Sequence, residues 1–470
     1  MKQILKSDKL NNVRYEVRGQ LAIECERMEA AGEKILKLNI GNPATFGFSA
    51  PDHVLSVMRE QAPFSQGYTS GFGLPAARQA ILDYAKLKNI PNVTLDDIYT
   101  GNGASELIEI ALEALLNTGD EILIPTPDYP LWTAAATMAG GKVVHYMCDE
   151  SANWYPDLKD MESKITPKTK AIVVINPNNP TGAIYPLELL EGIVEIARRH
   201  DLVILSDEIY DRLALDGDKP ISIASLAPDL LCITMNGLSK SHMLCGFRIG
   251  WMIISGAKQD AKDFIDGVDI LTDMRLCANV PGQACIPAAL SGKLRAEEYF
   301  TPDGRVHAQR KAVYEGLNSI PGVSALQPKT AFYIFPKLDM KKFNLQDDNK
   351  LVIDLLREKK IYVVPGSAFN WKQPDHLRIV YLADAATLTN AMEDFRDFLE
   401  TYRQEKPNIC TRECCRILIL QHSLVYSYLF VSGGCGSLFP AGSLGNDYGR
   451  IMQTPSFVSA SKIRILLKPG

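Results

Sequence analysis

An α/β fold built on a mainly parallel sheet is the architecture this sequence predicts, on three observations. Short apolar, β-branched runs alternate with longer stretches whose apolar residues recur every three or four positions. Several of the runs end in clusters of Gly, Pro, Asn and Asp, as strands do where they turn into loops. The chain has 470 residues, enough for two or three domains at roughly 150 residues each. With 46% hydrophobic and 22% charged residues it is not a disordered, collagen-like or coiled-coil chain.

The predicted strands are EILIP at 121–125, KVVHYM at 142–147, AIVVI at 171–175, LVILS at 202–206, LCITM at 231–235 and RIGWMII at 248–254. LELLEGIVEIARRH at 187–200 is an amphipathic helix between two of them. The punctuating clusters are GNGASE, PTPDYP, NPNNPTG, SDEIYD and MNGLSK. Open α/β sheets bind ligands outside the carboxyl ends of their strands, so the chemistry is expected at these clusters.

From about residue 301 the pattern changes to a helix at 304–319, short strands at 331–336, 361–366 and 377–382, and helices at 348–359 and 385–403. The organisation expected is an N-terminal arm (1–47), a large domain (48–300), a smaller α+β domain (301–403) and a tail of uncertain structure (404–470). The arm is too short to be a domain and is expected to pack on the small domain or on a neighbouring subunit.

Composition also narrows the partners. Lys and Arg total 50 against 55 Asp and Glu, a net charge of −5, which gives no basic field for nucleic acid or an anionic membrane. The longest apolar run, 417–431, is interrupted by Gln421 and His422 and falls short of the roughly 18 residues of a spanning helix. The first 20 residues contain no apolar core of a secretory signal, and the 10 cysteines lack the spacing of a disulfide framework, so a reducing cytoplasm is expected. Cys410, Cys414, Cys415 and His422 lack paired zinc-ligand spacing, and no metal is expected. Small molecules are the expected partners.

Lys240, in NGLSK just after a predicted strand, could form a Schiff base if its amine is held and desolvated, and Arg248 eight residues later could bind a phosphate. Asp207 follows LVIL and could keep a pyridinium nitrogen protonated, with the phenol of Tyr210 three residues on; a solvated helix cap is the plainer reading of the same Asp. NPNNPTG at 176–182 fixes a tight loop from which Asn179 could present its amide to a ligand oxygen. GNGASE places Ala104 and Ser105 at a helix N-terminus, which attracts phosphate and is also simply a good helix start. Tyr129 in PDYPLW could stack on a planar ring or belong to the core. The conjunction carries the weight: Asn179, Asp207, Tyr210, Lys240 and Arg248 follow one another at or just beyond strand ends.

With those residues in place, the chain resembles the class I pyridoxal-phosphate aminotransferases of fold type I from about residue 5 to 403. Within them it is most similar to the bacterial glutamate–pyruvate (alanine) aminotransferases. The likeness runs through NNVRYEVRG (11–19), LKLNIGNPATFGF (36–48), PDYPLWTAA (127–135), VVINPNNPTGAIY (173–185), NGLSK (236–240), MRLCANVP (274–281) and FNWKQPDHLRIV (369–380). It departs in SHMLCGFR after Lys240, where many relatives carry an aromatic and a small residue, and in the tail.

The resemblance implies a large domain with a seven-stranded, mainly parallel sheet, a smaller α+β domain, and a cytoplasmic homodimer with shared active sites. It implies pyridoxal 5′-phosphate as cofactor and amino acids with 2-oxo acids as substrates, in a reversible ping-pong transfer between L-alanine and 2-oxoglutarate. Lys240 becomes the Schiff-base lysine and proton carrier, and Asp207 the partner of the ring nitrogen. Tyr210 and Asn179 bond the phenolic oxygen, and Tyr129 stacks on the ring. Arg248, Ala104, Ser105, Ser239 and Tyr68 of a second subunit hold the phosphate. Arg378 in HLRIV clamps the α-carboxylate with two parallel hydrogen bonds, and Gly41 lets the backbone approach it. Tyr15, Arg18 and the 45–48 segment are the candidates for a distal carboxylate, with Arg275 of the partner subunit as a further option.

An aminotransferase for aspartate, aromatic or branched-chain amino acids shares this constellation. A C–S lyase is disfavoured by Asn178, where such lyases commonly carry histidine. A cofactor-sensing regulator would need a helix-turn-helix domain before the fold, and a pseudoenzyme is opposed by the presence of Lys240.

Overall fold

The computed structural model describes residues 3–11, 13, 19–291 and 295–405, the side chains of 295–297 excepted. Tyr15, Arg18 and nearly all of the expected tail lie outside the described residues.

After a two-residue strand, β1 (Leu36–Lys37), the chain lays down one large sheet. Its strands are β2 (Ile98–Asn102), β3 (Glu121–Thr126), β4 (Lys142–Asp149), β5 (Tyr155–Pro156), β6 (Thr169–Ile175), β7 (Val203–Asp207), β8 (Cys232–Gly237) and β9 (Ile249–Ser255). The spatial order is β2-β9-β8-β7-β6-β3-β4-β5. The pairs within β8-β7-β6-β3-β4 are parallel, and β9 runs antiparallel to both of its neighbours. The expected seven strands are therefore present, with β5 added as a two-residue antiparallel edge on β4.

Side-chain alternation splits each central strand between two cores. On β6, Ile172 and Val174 join one core, while Ala171, Val173 and Ile175 join the other. Both faces are covered, which is why these strands read as continuous apolar runs. Helices Pro75–Leu87, Leu187–Arg199 and Val280–Ser291 supply the first core, and Ala104–Leu115, Leu131–Met138 and Lys262–Met274 the second.

The smaller C-terminal domain contains β10 (Val323–Ser324), β11 (Tyr333–Ile334), β12 (Lys337–Leu338), β13 (Ile361–Tyr362), β14 (Val364–Pro365) and β15 (Leu377–Val380), with helices Arg305–Asn318, Asp348–Lys359 and Ala385–Thr401. β15 lies between β11 and β14, antiparallel to both. The N-terminal segment joins this domain. β1 pairs in parallel with β13, and Leu21, Cys25 and Met28 of helix Gln20–Ala30 sit in the same core as Leu355, Ile361 and Phe398. Among the described residues no helix is long and apolar enough to cross a membrane, and the six described cysteines are free thiols.

Candidate active site

The loops after β2, β3, β6, β7 and β8 converge on one edge of the sheet. There they meet the segment after β1 and residues of β11 and β15 around a cavity of about 270 Å3. Gly41, Ala104, Ser105, Tyr129, Asn179, Asp207, Tyr210, Ser239, Lys240, Arg248 and Arg378 all line it. Eleven of the sequence candidates are thus brought together from positions that span most of the chain.

Lys240 follows β8 in a one-turn helix, Leu238–Ser241. Its Nζ donates to the carbonyl of Gly41 at 2.8 Å and lies 3.7 Å from Cys245 Sγ. Gly41 is needed there for a reason the sequence did not give: a Cβ would lie 2.1 Å from the Tyr333 hydroxyl.

Asp207 ends β7 with its side chain inside the protein, so it is not the solvated cap that a plain reading allowed. Trp132 Nε1 donates to its Oδ2 at 3.0 Å and the Ile209 N–H to its Oδ1 at 3.3 Å. Burial pushes its carboxyl above the usual range, because neither donor carries charge. A cation in the cavity beside it would restore the ionised form. Tyr210 is buried as well, and burial, with Tyr333 beside it, pushes its phenol far up. Its hydroxyl donates to Tyr333 at 3.2 Å and lies 3.4 Å from Asn179 Nδ2.

Arg248 reaches the same edge by a route that apolar runs do not reveal. It stands at the amino end of β9, and because β9 is the reversed strand, that end lies beside the carboxyl ends of the others. Its guanidinium donates to the Cys245 carbonyl at 3.2 Å and lies 3.4 Å from Ser105 Oγ, at the start of helix Ala104–Leu115. Glycine is required just before that helix: Gly103 has φ +81°, and a Cβ on it would lie 2.2 Å from Arg248 Nη2. A guanidinium beside a helix N-terminus is a built anion site.

Arg378 enters from β15, flanked by Tyr333 at 4.7 Å and Phe369 at 4.6 Å from ring centroid to Cζ. It donates to Asn179 Oδ1 at 3.1 Å and to the Asn39 carbonyl. Tyr68 is 82% exposed and does not line this cavity. Within the chain Arg275 donates to the carbonyls of Gly71 and Thr100. Sequence reasoning missed Cys245, Tyr333 and Trp132. Cys245 was visible only as part of the departure SHMLCGFR, and Trp132 only as part of PDYPLW.

The family described as aminotransferase class I and II matches residues 33–395, and the chain belongs to it. Over 404 residues it is 53% identical to the glutamate-pyruvate aminotransferase AlaA of Escherichia coli K12, covering 86% of this chain and 100% of that protein. It is 50% identical over 399 residues to the alanine aminotransferase of Mycobacterium bovis, covering 85% of this chain and 93% of that one. Among solved structures, an aminotransferase from Escherichia coli superposes with a TM-score of 0.85 at 53% identity, covering 86% of this chain and 100% of the other. The alanine aminotransferase of Pyrococcus furiosus superposes at 0.80 with 36% identity, covering 84% and 100%.

Proposed function

We propose that this chain is a glutamate–pyruvate (alanine) aminotransferase that moves an amino group between L-alanine and 2-oxoglutarate on pyridoxal 5′-phosphate. The observation that carries the reading is the shared cavity. An amine, a buried carboxylate without a cationic partner among the described residues, an anion site at a helix start and a second arginine all face it. That donor set fits the cofactor's aldehyde, ring nitrogen and phosphate, and leaves Arg378 for the substrate. When bound, pyridoxal phosphate supplies an electrophilic carbon and a ring that draws electrons from the amino acid's Cα.

The residues then divide the work. Arg248, Ser239, Ser105 and the N–H groups of 104–105 hold the phosphate, with Tyr68 of a second copy. Asp207 keeps the proton on the ring nitrogen, and its buried setting strengthens that pairing. Tyr129 covers a ring face. Tyr210 and Asn179 bond the phenolic oxygen. Arg378 orients the substrate by its α-carboxylate, which places the Cα hydrogen near Lys240. The Lys240 amine would carry that proton between the substrate Cα and the cofactor's aldehyde carbon. Gly41, through its carbonyl, keeps the amine at the cavity when it is free. Tyr15 and Arg18 adapt the pocket to the distal carboxylate of glutamate. The protein works as a cytoplasmic homodimer, in keeping with the free thiols of the six described cysteines.

A visible spectrum tests this. A long-wavelength band in the purified holoenzyme is expected to bleach with L-alanine and return with pyruvate, and to be missing in Lys240→Ala. A band that alanine leaves unchanged would retain the cofactor and remove alanine as donor.

A further inference from the structure

Beneath Tyr129 the large sheet and the C-terminal domain are joined by polar contacts that the proposed chemistry does not use. Thr126 Oγ1, at the end of β3, donates to the Asn370 carbonyl at 2.9 Å, and the Asp128 N–H donates to the Phe369 carbonyl at 3.0 Å. Asn370 returns the contact, its Nδ2 donating to Asp128 Oδ1 at 2.8 Å, while Thr133 Oγ1 donates to Oδ2 at 2.5 Å.

Asp128 is 0% exposed, and neither of its side-chain donors is charged. An asparagine could keep the Thr133 bond without the cost of burying a charge, so tying down the loop does not by itself account for a carboxylate here. What a carboxylate adds is acceptance on both oxygens at once, from the Thr133 hydroxyl and from the Asn370 amide, which an asparagine manages only by reversing one of the two bonds. That bond lies between two walls of the site. Tyr129, the next residue, lines the main cavity, and the Phe369 ring lies against Arg378. Tyr129 and Phe369 together line a second cavity of about 90 Å3, which shares Ile40, Tyr129 and Arg378 with the first.

We propose that Asp128 and Asn370 are a positioning pair that holds the Tyr129 wall and the Phe369 wall in register. The pair thereby sets the separation between Arg378 and the ring site. The pair is read from geometry alone, while its effect on alanine rests on the proposed function. Neither side chain lines the main cavity. The other ionisable groups facing Asp128 are Tyr146 and Cys148, and burial pushes the thiol up to about 12 and the phenol further. Both stay neutral through the working range. Burial also lifts the Asp128 carboxyl to about 7, so the charged bond to Asn370 forms as the pH rises through neutrality.

The test is a reciprocal exchange in the holoenzyme. Asp128→Asn sets amide against amide, and Asn370→Asp sets carboxyl against carboxyl. Each is expected to raise KM for L-alanine about tenfold while kcat stays within about threefold, the scale of one buried, charge-assisted hydrogen bond. Asn370 has φ +57°, a conformation that aspartate also tolerates, so the double exchange keeps the backbone and restores one donor facing one acceptor. It is expected to recover KM. Cofactor affinity, read by quenching of tryptophan fluorescence, should fall in the singles and recover in the double.

A double exchange that recovers Tm but leaves KM and cofactor affinity at single-variant values would overturn the proposal, because the pair would then be structural only. So would single variants with unchanged KM and cofactor affinity. If the double does not fold, Asn370→Gly keeps the turn and deletes the amide, and KM or cofactor affinity unmoved in it counts against the pair equally. If the wild type does not transaminate alanine, the functional reading fails by itself, and the cofactor-affinity pattern still decides the pair.

Discussion

Arg378 Nη1 donates to Asn179 Oδ1 at 3.1 Å, across 199 positions of sequence. The arginine of β15 is thus already held by the loop after β6, the same loop whose amide faces Tyr210. Removing the Asn179 side chain should release both. Asn179→Ala is expected to raise KM for L-alanine by about tenfold, the scale of one lost hydrogen bond to a charged group, with a smaller fall in kcat. Steady-state kinetics with both substrates varied would check it.

Arg378→Lys tests the planar fork. A lysine keeps the charge and loses the two parallel bonds and the ring contacts with Tyr333 and Phe369. KM for the amino acid and for the 2-oxo acid should rise together by about 10- to 100-fold. A change confined to one substrate would contradict a shared α-carboxylate site.

Gly103→Ala should strike the phosphate site without replacing an ionisable group. The added Cβ would lie 2.2 Å from Arg248 Nη2, on a residue with φ +81°. Cofactor affinity, measured by equilibrium dialysis, is expected to fall by about tenfold or more, since the strained backbone alone costs about 1–2 kcal/mol.

His376 gives a pH signature in stability. It is fully buried, with Nδ1 2.7 Å from Asp375 Oδ1 and Nε2 3.5 Å from Glu150 Oε1. Burial opposes its charge, but the two carboxylates outweigh burial and hold the imidazole above its usual 6.5. A raised value means the folded state binds the extra proton. The stabilisation is complete below about pH 6.5 and is lost as the pH rises through the higher folded value. Thermal unfolding should show the Tm of the wild type falling relative to that of His376→Gln as pH rises through neutrality.

The end of the chain offers a sharper cut. Gln404 is buried, and its side chain donates to the Asp347 carbonyl and accepts from the N–H groups of Gln346 and Asp347. Truncation after Glu405 is expected to leave kcat/KM within about twofold, whereas truncation after Arg403 should lower Tm by removing those three side-chain bonds together with the two made by the Gln404 main chain, to the Phe343 carbonyl and from the Asn344 amide, at about 1 kcal/mol each. Calorimetry of the two truncated proteins separates them.

Much of this architecture was legible in the apolar runs. The predicted strand at 171–175 lies within β6, and the helix expected at 348–359 is Asp348–Lys359. A run of Ile and Val reports burial on both faces but not strand direction, so the reversal of β9, and with it the placement of Arg248, was not readable. Asp207 was ambiguous for a similar reason: a strand-end carboxylate looks the same in sequence whether it meets water or the indole of Trp132. Cys245 and Tyr333 gave no local signal, because their relation to Lys240 and Tyr210 arises only when distant segments close on the cavity.

The connection between β8 and β9 carries both Lys240 and Arg248, and the antiparallel pairing of these strands fixes its two ends. The number of residues between the amine and the guanidinium is therefore constrained by the sheet itself. One residue inserted or deleted there would shift the anchors relative to each other however conservative the replacement.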